Sequence, residues 1–362
     1  MLVRTKVEGD DEMETRKIQK VGASTLTISL PKGWVKQRNL KKGDQVFLVE
    51  DGEALKVLPA SEAESRRKMS QTYVVDADLC DEPGMLERVI VGNYVLGRER
   101  LVVKSGGRLR GQHTDEIRRA ARRLMGLGIL EETPSRVLLQ CSIDPSQYPV
   151  EPLLKRLYNL GVTMLNETYE ALRSGNRELA EDAIKREDDA DMIYWLLLRL
   201  LLGAQVDEAL VESLGLRSRM EIPGDRTIAK ELETFADTVE DMARSALAIL
   251  SSEGERPPEV LRGMGRMVER VEHGLADAMA AFMTHDLKVA HRALTLTDGL
   301  REDTQAVRAV LRHIEETKVA FSYRVILAGL PRIAEVAKTI AVIAFNRYLE
   351  RPSNLCRVEE TA

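Results

Sequence analysis

From Glu151 to Leu349 apolar residues recur every three or four positions with few interruptions. A segment that periodic can satisfy its apolar face only as packed helices. Six helices are predicted, near 151–173, 177–202, 223–251, 257–283, 286–312 and 316–350. The breaks fall at Ser174–Gly175–Asn176, at Gly215 with Pro223–Gly224, at Gly254 with Pro257–Pro258, at His285–Asp286 and at Thr317. Ala180, Ala183 and Ile184 align with Ala290, Ala293 and Leu294 at an offset of 110 residues. The medium–long–long order of helix lengths also repeats. An internal duplication into two three-helix bundles, 150–252 and 257–350, is the economical reading.

The carboxylates sharpen this picture. In the second helix the apolar stripe runs Ala180, Ile184, Glu187, Asp191, Tyr194, Leu198, Leu201, so Glu187 and Asp191 occupy the core-facing stripe itself. The third helix places Glu233 and Asp237, also four apart, beside the stripe Ile228, Leu232, Phe235, Val239, Met242. Residues four apart share a helix face, and two such pairs on neighbouring helices bring four carboxylates together. Burying them without cations is costly. Two solutions are open. One is a metal ion, for which an oxygen-only ligand set suits Mg²⁺, Ca²⁺, Mn²⁺ or iron. The other is pairing with nearby cations such as Arg186, Arg226 or Lys230 at a wet bundle edge.

The motifs Glu187-Asp-Asp-Ala-Asp191 and Glu233-Thr-Phe-Ala-Asp237, set in a duplicated helical array, resemble the PhoU family of phosphate-uptake regulators. The resemblance spans roughly 151–350. It implies two three-helix bundles and a metal site at Glu187, Asp191, Glu233 and Asp237, taking a divalent or trivalent ion (Mg, Ca, Mn, Fe or Zn). The second bundle departs from the pattern. At the same offset Thr297 and Arg301 replace the first pair, with Asp298 and Glu302 one position later, and Pro331 precedes Glu335 where a first carboxylate belongs. One metal site, in the first bundle, is expected.

Upstream, residues 70–145 alternate in period. Thr72–Asp76 and Arg100–Lys104 are strand-like, Pro83–Leu96 and Thr114–Met125 helical, and Ile129–Glu131 with Arg136–Cys141 form a hairpin around Thr133–Pro134. A small α/β connector with helices on one face of a sheet is predicted. Gly106–Gly107 lacks the Lys and Ser/Thr of a phosphate-binding loop and reads as a turn. Arg118, Arg119, Arg122 and Arg123 read as a solvated basic helix face.

Residues 13–60 form a third pattern. Short strands at 16–21 and 25–29 flank Gly22–Ala23–Ser24. Pro31 opens a helical turn, and two further strands flank Asp51–Gly52. Four strands in so short a segment enclose little core, which an exchange of strands in a dimer would remedy. Gly22, the Leu26/Ile28/Leu30 set, Pro31, Leu40, Gly43–Asp44 and Val46 resemble the AbrB/SpoVT family. That resemblance implies a swapped-hairpin barrel, homodimerisation and DNA contact, here through Arg16, Lys17, Lys20, Lys32, Lys36 and Arg38. Ala23–Ser24–Thr25 stand where many such proteins carry an arginine. Charge agrees: residues 13–59 carry a net +4, whereas the whole chain is −5, so one small segment is suited to a polyanion. A barrel that only dimerises, behind a solvated basic face, is the alternative.

Chemistry beyond the carboxylates finds no support. The five histidines, 113, 273, 285, 291 and 313, lack the Glu-x-x-His spacing of di-iron bundles and read as surface residues or caps. No nucleophile elbow, Walker loop or His-Glu-x-x-His occurs. The three cysteines are far apart and pattern neither a metal site nor a disulfide. No secretory signal is evident. The most apolar run, Ile193–Gly203, is about half a membrane span and contains Arg199. The expectation is therefore a cytoplasmic, non-enzymatic regulator of phosphate uptake that combines a β barrel, an α/β connector and two helical bundles. It would act on the promoter of phosphate-uptake genes. As an adaptor it would act instead on the ATPase of a phosphate transporter, with the barrel serving only for dimerisation.

Overall fold

The computed structural model describes residues 15–21, 25–51, 54–59, 71–252, 256–295, 299–312, 317–350 and 352–357. The turn at Gly22–Ser24, the polar linker 61–68, Thr297, Asp298 and His313 lie outside them. The chain divides into two units, residues 1–68 and 69–362.

In the first unit β1 (Gln19–Val21) pairs antiparallel with β2 (Thr25–Thr27), Lys20 opposite Leu26. Pro31 precedes α1 (Lys32–Gln37). Asp44 then accepts a hydrogen bond from Lys41 N at 2.7 Å, which tightens the turn into β3 (Val46–Asp51). That strand pairs with β4 (Ala54–Pro59). One chain thus forms two separate two-stranded ribbons. Their apolar side chains stay in solvent: Ile18, Val21, Leu26, Ile28, Phe47, Leu48 and Leu55 are all exposed.

The second unit begins with the predicted α/β layer. Its order is β5 (Thr72–Asp76), α2 (Met85–Val95), β6 (Arg100–Lys104), α3 (Gly111–Arg123), β7 (Leu127–Thr133) and β8 (Arg136–Cys141). The sheet order is β5-β6-β8-β7, parallel between β5 and β6 and antiparallel elsewhere. Leu86, Ile90, Tyr94, Val103, Ile117 and Leu139 fill the space between sheet and helices. Two polar details explain its loops. Gly84, the N-cap of α2, has no side chain, and the buried Glu116 of α3 accepts from Gly84 N and Glu87 N instead, at 2.9 and 3.1 Å. At Gly106 the backbone N–H donates to Asp78 at 2.7 Å, so this turn holds a carboxylate of its own chain. One expectation is corrected here: His113 is buried, not at the surface, because its Nε2 meets Cys80 O at 3.0 Å inside the layer.

The helical part comprises α4 (Val150–Ser174), α5 (Arg177–Val206), the short α6 (Glu208–Ser213), α7 (Ile222–Leu250), α8 (Pro258–Thr284), α9 (Leu287–Thr295), α10 (Leu300–Leu311) and α11 (Thr317–Leu349). The fifth predicted helix is described as two stretches, α9 and α10. A single apolar core runs through all of these helices. α7 packs against α4 and α5 on one side and α11 on the other, and the largely buried Arg347 of α11 reaches Asp225 of α7 at 2.7 Å.

The duplication shows in the turns. α4 ends on Gly175 and α8 on His285, both left-handed with φ of 84° and 56°. The next residues, Asn176 and Asp286, cap the following helices through the N–H groups of Glu178 and Lys288. Each pair is separated by the same 110 residues as the alanines.

Close approach of α4 to α7 depends on Gly161, where an added Cβ would lie 2.5 Å from the buried Phe235 ring. Overpacking of this kind typically costs about 1–3 kcal/mol. Gly161→Ala is therefore expected to lower the thermal midpoint, and an unchanged midpoint would show that α4 can yield. Arg199 of α5 joins the α/β layer to the bundle. Its guanidinium donates to the carbonyls of Tyr94, Gly97 and Arg98 at 2.6, 3.1 and 3.2 Å, satisfying the C-terminal end of α2. Among the described residues no helix is long and apolar enough to cross a membrane.

Candidate metal centre

Three carboxylates meet where α5 and α7 pack. Oxygens of Glu187, Asp191 and Asp237 lie within 4.8 Å of one another. Helical spacing is the reason: Glu187 and Asp191 are one turn apart on α5, and the α5–α7 packing brings Asp237 opposite them. Asp191 is 6 % exposed, whereas Glu187 and Asp237 are half-buried. Glu240 stands close enough to act on both half-buried acids.

The electrostatic consequence is plain. Burial, followed by the nearby charge of Asp191, pushes the Glu187 carboxyl up to about 7. Burial, followed by the charge of Glu233, pushes Asp237 up to about 6. Such groups keep their protons to higher pH because partly desolvated like charges oppose ionisation. A hard cation would relieve that opposition. Oxygen-only donors suit Mg²⁺, Ca²⁺ or Mn²⁺. Oxygens within 4.8 Å of one another also match the span of two metal–oxygen bonds of about 2.0–2.6 Å. The residues therefore fit a metal ion.

One feature takes the alternative left open by the sequence, and a second was not anticipated. Glu233, 7 % exposed, faces Lys230 at 2.5 Å instead of joining the three; the lysine lies one turn back on the same face. Asp191 is engaged by the guanidinium of Arg123, which arrives from the last turn of α3 and also touches Glu87 at 3.3 Å. Arg119 meets the other oxygen of Glu87 at 3.0 Å. Part of the basic face on α3 is thus committed to the bundle. A buried acid facing an arginine sixty-eight residues earlier leaves no sequence signal. Of the alternative cations named from sequence, Arg186 is held by Glu167 at 2.7 Å and Arg226 is exposed.

In the second bundle two of the described acids have arginine partners: Asp277 takes Arg292 through two contacts of 2.6 Å, and Asp303 faces Arg266 at 3.4 Å and Arg270 at 3.6 Å. Glu335 pairs with Lys338 at 2.8 Å, and Pro331 sits inside α11. The N-terminal basic residues bracket β1 and α1. Lys17, Lys20, Lys32 and Lys36 are exposed, and Arg16 and Arg38 half-buried.

Comparison with known proteins places these features. Residues 154–246 match the PhoU domain family, a range that includes Glu187, Asp191, Glu233 and Asp237. Residues 19–65 match the family of the bacterial antitoxin MazE, described as antidote–toxin recognition. Similar solved structures include the phosphate transport system regulatory protein PhoU from Streptococcus pneumoniae, at 18 % identity and a TM-score of 0.46. That match covers 58 % of this chain and 96 % of that one. Another is PhoU from Pseudomonas aeruginosa, at 18 % identity and a TM-score of 0.47, covering 56 % and 96 %. No curated protein matches the chain.

Proposed function

We propose that this chain, which joins a PhoU-type helical segment to a MazE/AbrB-type N-terminal segment, is a cytoplasmic regulator of phosphate uptake that binds metal through its first bundle and DNA through its N-terminal unit. The observation that carries the reading is one coincidence: the PhoU-matching range contains the three converging acids. Glu187, Asp191 and Asp237 would hold the ion, and Glu233 would join after leaving Lys230. A bound ion would supply positive charge where those acids crowd, and the acids of α5 and α7 would then draw the two helices together. We read the protein as a regulator and not an enzyme on the strength of its PhoU-type segment.

The first unit supports dimerisation. Two ribbons with seven large apolar side chains exposed cannot form an independent core, and a second copy would cover them by interleaving strands. Leu26→Asp with Phe47→Asp is expected to convert a dimer to a monomer in sedimentation or light scattering. A dimer that survives both changes would remove this interface.

The same exposed surface favours a second reading, in which the unit only dimerises and the protein regulates the ATPase of a phosphate transporter. DNA binding separates the two. A mobility shift with the DNA upstream of the protein's own gene supports the first; no shift at low salt supports the second.

A further inference from the structure

Arg123 is the one connector cation that enters the acidic cluster, and its setting is asymmetric. Its guanidinium spans two acids of different kinds: Asp191 inside the cluster and Glu87 on α2 outside it. The rest of the guanidinium faces water, the side chain being 43 % exposed. A second anchor lies two helical turns further along α5, where Arg199 grips the carbonyls ending α2. That grip involves no carboxylate, so the charge of the cluster does not affect it. The α/β layer is therefore held at one point by neutral carbonyls and at another by the acids themselves.

We infer that Arg123 is a tethered cation that occupies the cluster in the metal-free protein, and that a metal ion and Arg123 compete for Asp191. Ion binding then frees the C-terminal end of α3 while Arg199 keeps the layer docked. This inference rests on the metal reading above and adds how that site communicates. The competition is electrostatic: an ion bound within the 4.8 Å set shares Asp191 with the guanidinium, and two cations at one partly desolvated carboxylate repel. Released, Arg123 keeps Glu87 and water. Arg119 already holds the other oxygen of Glu87, so α2 and α3 stay together and the movement is confined to the last turn of α3.

The test uses the full chain and Mn²⁺ alone. Calorimetric titration compares the unaltered protein with Arg123→Gln, Arg123→Lys and Arg118→Gln. Arg118 sits on the same helix but pairs with Glu132 at the surface, so it controls for long-range charge. Arg123→Gln is expected to bind Mn²⁺ about tenfold or more tighter, a difference of about 1.4 kcal/mol or more. Arg123→Lys, charged but without a fork that spans two acids, is expected to fall between, and Arg118→Gln to match the unaltered protein. Hydrogen exchange at residues 119–125 should rise when Mn²⁺ is added to the unaltered protein, and should already be raised in metal-free Arg123→Gln. Equal or weaker binding in Arg123→Gln overturns the inference, as does equal tightening in Arg118→Gln or exchange indifferent to Mn²⁺. If the unaltered protein binds Mn²⁺ and these changes are missing, only the competition falls. If no variant binds Mn²⁺, the metal reading falls and this inference with it.

Discussion

Asp237→Asn is expected to weaken Mn²⁺ binding by about a hundredfold or more, since loss even of groups behind the ligands costs 10–100-fold in metal affinity. The same change should stabilise the metal-free protein. Both signs follow from one arrangement. Without an ion, Asp237 is one of several acids whose charges oppose each other across α5 and α7; with an ion, it is a ligand. An asparagine relieves the first situation and impairs the second. Thermal midpoints with chelator and with saturating Mn²⁺ should therefore move in opposite directions. Movement in the same direction would show that Asp237 acts only through packing.

pH gives an independent check on that arrangement. The unperturbed values are 4.5 for Glu187 and 3.8 for Asp237, and the folded values rise to about 7 and about 6. Folded protein thus holds these protons more tightly than the unfolded chain does. Their contribution to stability is fully present below pH about 4, near the unfolded values, and is lost as pH rises through about 6 and 7. Metal reverses the dependence, because its ligands must be deprotonated, so affinity should climb over the same interval. The slope is read as the difference between the chain and Glu187→Gln, which removes one of the two groups. An identical pH profile in Glu187→Gln would place the titration elsewhere.

The second large effect concerns DNA. If about six phosphates are contacted, affinity should fall about a thousandfold between roughly 50 and 200 mM salt. Neutralising Lys17, Lys20, Lys32 or Lys36, all exposed, should weaken binding to any sequence and lower the salt slope by about 1 for each true contact. Arg16 and Arg38 belong to the same set, and replacing all six should abolish the shift. Fluorescence anisotropy with labelled duplex measures both quantities. A salt-independent affinity, or a slope unmoved by all six changes, would end the DNA reading and leave the adaptor.

Elements that repeat locally were legible in the sequence. Helical period and capping residues located α4, α5, α7, α8 and α11 closely, because both signals act within a few residues. Strand alternation likewise located the α/β layer. The stripe placed Glu187 and Asp191 alike toward the core; Asp191 is buried there, whereas Glu187 is only half-buried. What escaped were partners distant in the chain. Arg123 looked like surface charge since nothing near it in sequence is Asp191. Arg199 was read only as a charge within an apolar run, because its partners are carbonyls of another layer, which carry no side-chain signature. Glu233 is a different case: Lys230, three residues away and open from the sequence as an alternative partner, is the cation it meets. His113 was read as exposed, and only the fold of the layer shows the Cys80 carbonyl that accommodates it.

The matched turns at Gly175–Asn176 and His285–Asp286 carry a consequence of their own. A fold made twice can let one copy respond while the other stands as a fixed reference. In the later copy Asp277 and Asp303 already face Arg292, Arg266 and Arg270. The half that holds the three acids is joined to it along α7 and α11, pinned by Arg347. If those three acids take an ion as proposed, the disturbance would have a stator to push against, and its displacement would be directed outward to the α/β layer instead of being absorbed within the helices.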